Sequence, residues 1–180
     1  MKTHKYSDYV LVIVHGGHEH YQLPSPRMQE TYRFFIDIGA DAVVNHHQHC
    51  YSGYEVYNGK PIFYGLGNFC FDKPIKRAEK WNEGYMVLFD FNENESSFKL
   101  IHYTQCDETQ EVIPLTGSKE EVFFKEIAKL NSIISNEKEL VDHFEQWCAS
   151  KLGQKRNLFS PYYGSFWEKT HSCPVKAINE

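Results

Sequence analysis

Residues 10–14 (VLVIV), running into 15–21 (HGGHEHY), and residues 42–44 (AVV), running into 45–50 (NHHQHC), decide the fold. Each apolar run reads as a strand buried on both faces, as parallel strands covered by helices do. Each ends in a cluster of histidines. Between them, Ser25 is suited to cap a helix and Pro26 to its first turn, Met28, Tyr32, Phe35 and Ile36 recur at helical spacing, and Gly39 ends the pattern. Strand, helix and strand within about 35 residues predict a right-handed βαβ unit with both strands pointing the same way. Neighbouring strands lie about 4.8 Å apart, so His15 and the group His46, His47 and His49 are predicted to meet at the carboxyl rim, where open α/β sheets bind ligands.

Further on, 54–57 and 61–64 flank Asn58-Gly59, a pair that favours a tight hairpin. Residues 84–91 (GYMVLFDF) and 98–105 (FKLIHYTQ) alternate in polarity around the acidic turn 92–97, which predicts an antiparallel pair half exposed to solvent. From Ser118 the period changes to helical. Ser118 and Glu121 have capping-box spacing, with Phe123, Ile127, Leu130 and Ile134 on one face. A second helix is predicted after Asn136, with Leu140, Phe144 and Trp147 as its stripe, the two forming a helical hairpin packed on the sheets or on a partner. The last segment, 153–180, has no clear period, yet the density of aromatics at 161–167 argues against simple disorder.

The histidine runs and one further tract together carry a resemblance to a known family. Residues 13–19 (IVHGGHE) resemble a strand ending in H-W-G-x-E. Residues 39–49 (GADAVVNHHQH) resemble G-A-D, a strand and G-H-H-P-H. Residues 62–72 (IFYGLGNFCFD) resemble an isoleucine strand, Y-S-L-G-N-F and an acidic residue. In this order they are similar to the bacterial capsule-synthesis CapA family, of poly-γ-glutamate synthesis type, within the calcineurin-like metallophosphoesterases, over about 9–91. Gly16 stands where the family has tryptophan, and Asn45 where it has glycine, so a changed pocket shape is expected.

The resemblance implies an α/β (mixed α+β) fold: a partial metallophosphoesterase-like sandwich of two sheets with flanking helices, here residues 1–117, followed by a C-terminal helical appendage, 118–180, packed on the same domain. It implies His15, His47 and His49 as metal ligands and His46 and Glu19 as catalytic or supporting groups; Asn68, at the end of another apolar strand, is placed either to reach the site as a substrate-binding group or to cap a turn. The cofactor expected is a divalent metal (Mn, Zn or Fe), one or two ions. Relatives carry an upstream half with an early aspartate and histidine, a bridging aspartate in Gly-Asp, and an Asn-His pair. That half has no counterpart ahead of residue 10, so only a C-terminal portion of the family's domain is expected. The lysine-rich stretch 72–83 (DKPIKRAEKWNE) is read as a solvated loop, with Lys73, Lys76, Arg77 and Lys80 available to attract an anion.

The implied function is a metal-dependent hydrolase acting on a phosphoester or related bond in capsule or envelope polymer metabolism. The alternative is a non-catalytic assembly or binding subunit that keeps the fold but lacks the full metal site. A small-molecule or polymer substrate is expected, and either a homo-oligomer or a missing N-terminal half. The His-Gly-Gly turn also suggests a lipase-like oxyanion hole, but no G-x-S-x-G elbow supplies a nucleophile. A net charge of -5 leaves no electrostatic footprint for nucleic acid, and no apolar run is long enough to span a membrane. Five cysteines spread singly fit free thiols in a reducing compartment, and the expected location is cytoplasmic, or exported if a signal lies upstream. With 180 residues and 41% hydrophobic content, one domain with a real core is expected.

Overall fold

A computed structural model describes residues 6–71, 79–91, 96–106 and 109–158. Two compact units make up the chain, Met1–Val141 and Asp142–Glu180. The first begins with β1 (Leu11–His15), α1 (Pro26–Asp37) and β2 (Ala42–His46). These form the predicted parallel unit, with Leu11 opposite Ala42 and His15 opposite His46. The hairpin β3 (Tyr54–Tyr57) and β4 (Lys60–Phe63) completes a four-stranded sheet in the order β1-β2-β4-β3, with β4 parallel to β2. Its turn sets Asn58 at φ 50° and Gly59 at φ 75°, the double left-handed conformation a two-residue hairpin needs.

The second sheet is antiparallel, β5 (Glu83–Phe91), β6 (Ser96–Gln105) and β7 (Val112–Pro114) in that order. The sequence reading contains the first two and lacks β7, which at three residues is too short to show a period. The sheets pack through aromatic edges: Phe63 meets Phe89 and Phe98 at 5.9 and 5.1 Å between ring centres, and Tyr54 meets Phe98 at 5.3 Å. On the opposite face of the first sheet, Tyr32 of α1 stacks on Tyr64 at 5.8 Å.

One expectation needs correction. β2 is buried on both faces, but β1 is not: Leu11 and Ile13 are 42% and 69% exposed. β1 is the sheet edge, and its Leu11 and Ile13 share a face with Ala42, Val44 and Phe63, on which the second sheet covers Phe63 and leaves β1 open. Apolar content identified the strand; its place at the edge depends on pairing that no local pattern contains.

The N-cap of α1 is as read, with Ser25 Oγ accepting from Met28 N at 3.2 Å. The helix α2 (Ser118–Ser135) buries Phe123, Ile127, Leu130, Ile133 and Ile134, but the Ser118–Glu121 capping box does not form. Gly117, at φ 66°, is the N-cap, which makes Ser118 already helical and puts its hydroxyl out of position. α3 (Glu137–Leu158) starts where expected, Asn136 Oδ1 accepting from Glu139 N at 3.2 Å. In the second unit, Phe144 and Trp147 stack at 5.9 Å. Residues 153–158, expected to open an aperiodic tail, instead continue α3, since a helix already running extends through residues that carry no apolar stripe of their own; the remainder, 159–180, lies outside the described residues.

Under α2 the second sheet buries His102, 3% exposed and stacked on Phe123 at 4.0 Å. Among the described residues neither ring nitrogen has a hydrogen-bond partner, and the Glu83 carboxylate at 3.8 Å is beyond bonding reach. Burial, helped by the nearby Lys80 charge and opposed by Glu126, lowers its pKa from 6.5 to about 4. The protonated form is disfavoured in the folded state, so this stabilisation is complete above pH 6.5 and is lost as pH falls toward 4. Urea midpoints at pH 7.5 and 4.5 should differ more in the wild type than in His102→Phe, by up to ~3 kcal/mol. Equal pH dependence in the two proteins would contradict a neutral buried imidazole.

Candidate metal centre

The parallel register ends β1 and β2 side by side at His15 and His46, and Gly16 N donates to His46 O at 3.0 Å, closing the rim. Beyond it the backbone turns sharply. His47 (φ 105°), His49 (φ 56°) and His20 (φ 61°) are three of the five non-glycine residues with left-handed φ among the described residues. Such conformations cost on the order of 1–3 kcal/mol each and collect at functional sites. Long-range bonds hold them here. His20 N donates to Gln48 O at 2.7 Å, and the Gln48 amide, 1% exposed, donates to Tyr21 O and Leu23 O at 2.9 and 3.3 Å, tying the second histidine loop to the first.

The result is convergence. One ligand atom each from Glu19, His47 and His49 lies within 4.8 Å of the other two. His15 Nε2 lies 3.1 Å from His47 Nδ1, close to the ~3.3 Å between two nitrogens bound at ~2.05 Å to one tetrahedral ion. Asn68, 4% exposed, fixes His49: its Nδ2 donates to Trp81 O at 3.0 Å and toward His49 O at 3.4 Å, so its Oδ1 accepts from His49 Nδ1 at 2.8 Å. His49 is thereby held as the tautomer whose Nε2 has the free lone pair. His46 stands beside His15, its pKa lowered first by burial and then by the His15 charge, so it is neutral around pH 7.

Glu19, His47 and His49 thus come together, with His15 against His47, His46 adjoining and Asn68 behind His49 rather than open to solvent. Sequence reasoning missed Trp81, which stacks on the His49 ring at 4.9 Å, and Phe71, which meets it edge-on at 5.7 Å. Trp81 closes the polar stretch 72–83, and an aromatic there was the only available signal. In that stretch Lys80 is not free for an anion: it pairs with Glu126 of α2 and lies 2.7 Å from the Tyr51 hydroxyl. Lys73, Lys76 and Arg77 lie outside the described residues. Cys50 is buried and its thiol is pushed up to about 12 by burial, so it is no nucleophile.

Under the rim, Asn45 is fully buried with every polar atom paired. Tyr32 OH donates to its Oδ1, and its Nδ2 donates to Gly16 O and Tyr64 O, all at 2.8 Å. Asn45 thus joins the ends of β1 and β4 to α1, and room remains beside Gly16, where an added Cβ would approach Tyr32 OH only to 3.8 Å. Asn45→Ala takes the partner from the buried Tyr32 OH and Tyr64 O and from the part-buried Gly16 O, and should cost ~3 kcal/mol by urea denaturation, against ~1 kcal/mol for Tyr32→Phe. Equal costs would show that the two backbone carbonyls matter little.

A two-sheet α/β domain with a histidine-rich rim at the ends of parallel strands is the class that these features define. Residues 1–73 match the family described as "Bacterial capsule synthesis protein PGA_cap". The PGA biosynthesis protein CapA of Bacillus subtilis (strain 168) is 32% identical over 126 residues, 69% of this chain and 32% of that protein. The capsule biosynthesis protein CapA of Bacillus anthracis is 43% identical over 88 residues, 49% of this chain and 21% of that protein. Over this part of its length the chain belongs to the bacterial capsule synthesis CapA family. It spans no more than about a third of the length of either relative. No helix among the described residues is long and apolar enough to cross a membrane.

Proposed function

We propose that this rim binds a divalent cation through His15, His47, His49 and Glu19, and that the chain forms part of a metallophosphoesterase-type hydrolase acting on a phosphoester or related bond in capsule polymer metabolism. The observation that carries this reading is the approach of Glu19, His47 and His49 within 4.8 Å, with His15 3.1 Å from His47. The donors fit such an ion. Two donors of one tetrahedral ion lie ~3.3 Å apart, so Glu19, His47 and His49, within 4.8 Å of one another, draw together by up to ~1.5 Å to share it. One carboxylate with neutral imidazoles suits Zn, Mn or Fe. A cation bound here supplies Lewis acidity toward a phosphoryl oxygen and acidifies water.

The chain's own residues then have distinct parts. Asn68 orients His49, Trp81 and Phe71 shield one side of its ring, and neutral His46 is the group to accept a proton from the attacking water. Among the described residues a single carboxylate, Glu19, stands in the cluster, and bridging two ions needs more. We therefore assign one ion to the described donors and derive any second from ligands outside them. The same shortage of carboxylates favours the second reading, a subunit that keeps the ion for assembly.

Calorimetric titration of the full chain with Zn(II) or Mn(II) tests this. About one equivalent is expected. Absence of binding at millimolar metal would overturn the proposal, whereas binding without chelator-sensitive hydrolysis of bis(p-nitrophenyl) phosphate would select the second reading.

A further inference from the structure

Away from the cation donors, two sulfurs lie close together. Cys70 Sγ is 3.9 Å from Cys106 Sγ, although 36 residues separate them in sequence. Cys70 is exposed, in the tract that follows β4, and Cys106 is buried just past the end of β6. Both backbones are held. Phe71 N donates to Gln105 Oε1 at 2.8 Å, the Asn82 amide donates to Gln105 O and Cys106 O at 2.9 and 3.0 Å, and Cys106 N donates to Glu111 O at 3.0 Å. Cys106 itself sits at φ 45°, a left-handed conformation a cysteine rarely adopts. A disulfide needs about 2.05 Å between sulfurs, so side-chain rotation must close just under 2 Å.

We propose that Cys70 and Cys106 are a dithiol that closes to an intramolecular disulfide, fastening the tract that carries Asn68 and Phe71 to the end of β6. The pairing of an accessible thiol with a sheltered one sets the order of events. The Cys70 thiolate attacks a sulfur of a small disulfide such as oxidised glutathione, forming a mixed disulfide and releasing one glutathione thiolate. The Cys106 thiolate then attacks the Cys70 sulfur and expels the second. Two protein thiols lose two electrons, the small disulfide gains them, and the two protons leave on the two glutathione thiols. The tract so fastened bears the side chains that contact His49, with Phe71 also meeting Trp81 edge-on at 5.2 Å. The inference stands on sulfur geometry alone and holds whether or not the rim binds a cation.

The full reduced chain, incubated with oxidised glutathione, alkylated and digested, should give one cross-linked peptide pair joining Cys70 to Cys106 and an intact mass lower by about 2 Da. In Cys106→Ser the same treatment should leave a persistent glutathione adduct on Cys70. Because that variant removes a buried side chain, Cys70→Ser provides a second arm, in which Cys106 should stay unmodified and no cross-link should form. The oxidised wild type should also melt about 5 °C or more higher than the reduced protein, with dithiothreitol reversing the gain. A stable glutathione adduct on wild-type Cys70, a pairing of Cys70 with Cys148 or Cys173, or unreacted thiols throughout would overturn the proposal.

Discussion

His47→Ala is expected to weaken Zn(II) or Mn(II) binding by well over 100-fold, the largest effect of any single change at the rim. His47 is the common member of both short approaches, 3.1 Å from His15 and part of the cluster with Glu19 and His49. Its removal deletes a donor and also the group against which His15 is set. Loss of a partner that only orients a ligand costs ~10–100-fold in affinity, and Asn68→Ala, which releases His49 without removing it, should fall in that range. His18→Ala, which changes a histidine of the same run outside the cluster, should bind as the wild type does. Calorimetry on the four proteins gives the order. Comparable losses in His18→Ala and His47→Ala would mean that the histidines bind metal nonspecifically and that the convergence has no role.

Gly67→Ala should be the most destabilising substitution in the tract beside the rim, at ~3 kcal/mol or more. Gly67 sits at φ 83°, and an added Cβ would lie 2.6 Å from Glu83 O and 2.9 Å from Gly84 Cα. Both are backbone atoms, so neither can swing aside as a side chain would. The bridge between Gly67 and Gly84 and the bond from Tyr85 N to Leu66 O, 2.9 Å, are where the tract after β4 crosses β5, and they place the adjacent Asn68 beneath His49. The cost thus combines a left-handed φ with a backbone clash. Gly59→Ala separates the two terms, because Gly59 has φ 75° but open space around its Cβ position, and should lose only ~1 kcal/mol. Urea denaturation of both variants decides: equal losses would show that the crossing yields freely and does not fix the tract.

Much of this architecture is legible in one dimension because its signals are local. The buried run at 42–44, the helical period from Met28 to Ile36, the Ser25 cap and the Asn58-Gly59 turn each constrain backbone within a few residues, and the parallel unit they define brings His15 and His46 to one rim. The family motifs added the expectation that His47 and His49 share that rim. Glu19 was read there as a supporting group; its approach to within 4.8 Å of both histidine donors depends on the left-handed turns at His20, His47 and His49. Those turns rest on Gln48 and its bonds to Tyr21 O and Leu23 O, contacts more than twenty residues apart that leave no periodic trace.

The order of the strands follows the same division. Composition made β1 a strand, while pairing made it an edge and left Leu11 and Ile13 exposed. Trp81 against His49, Lys80 held by Glu126, and Cys70 beside Cys106 all join segments distant in sequence. The sequence by itself determined most of the segments that become strand or helix and, through the family motifs, which residues are candidates to bind a cation, because backbone preference and hydrophobic period act over a few residues. Only the tertiary structure decided which of those residues meet, because the packing of two sheets and the bonds between loops set distances that no local pattern encodes.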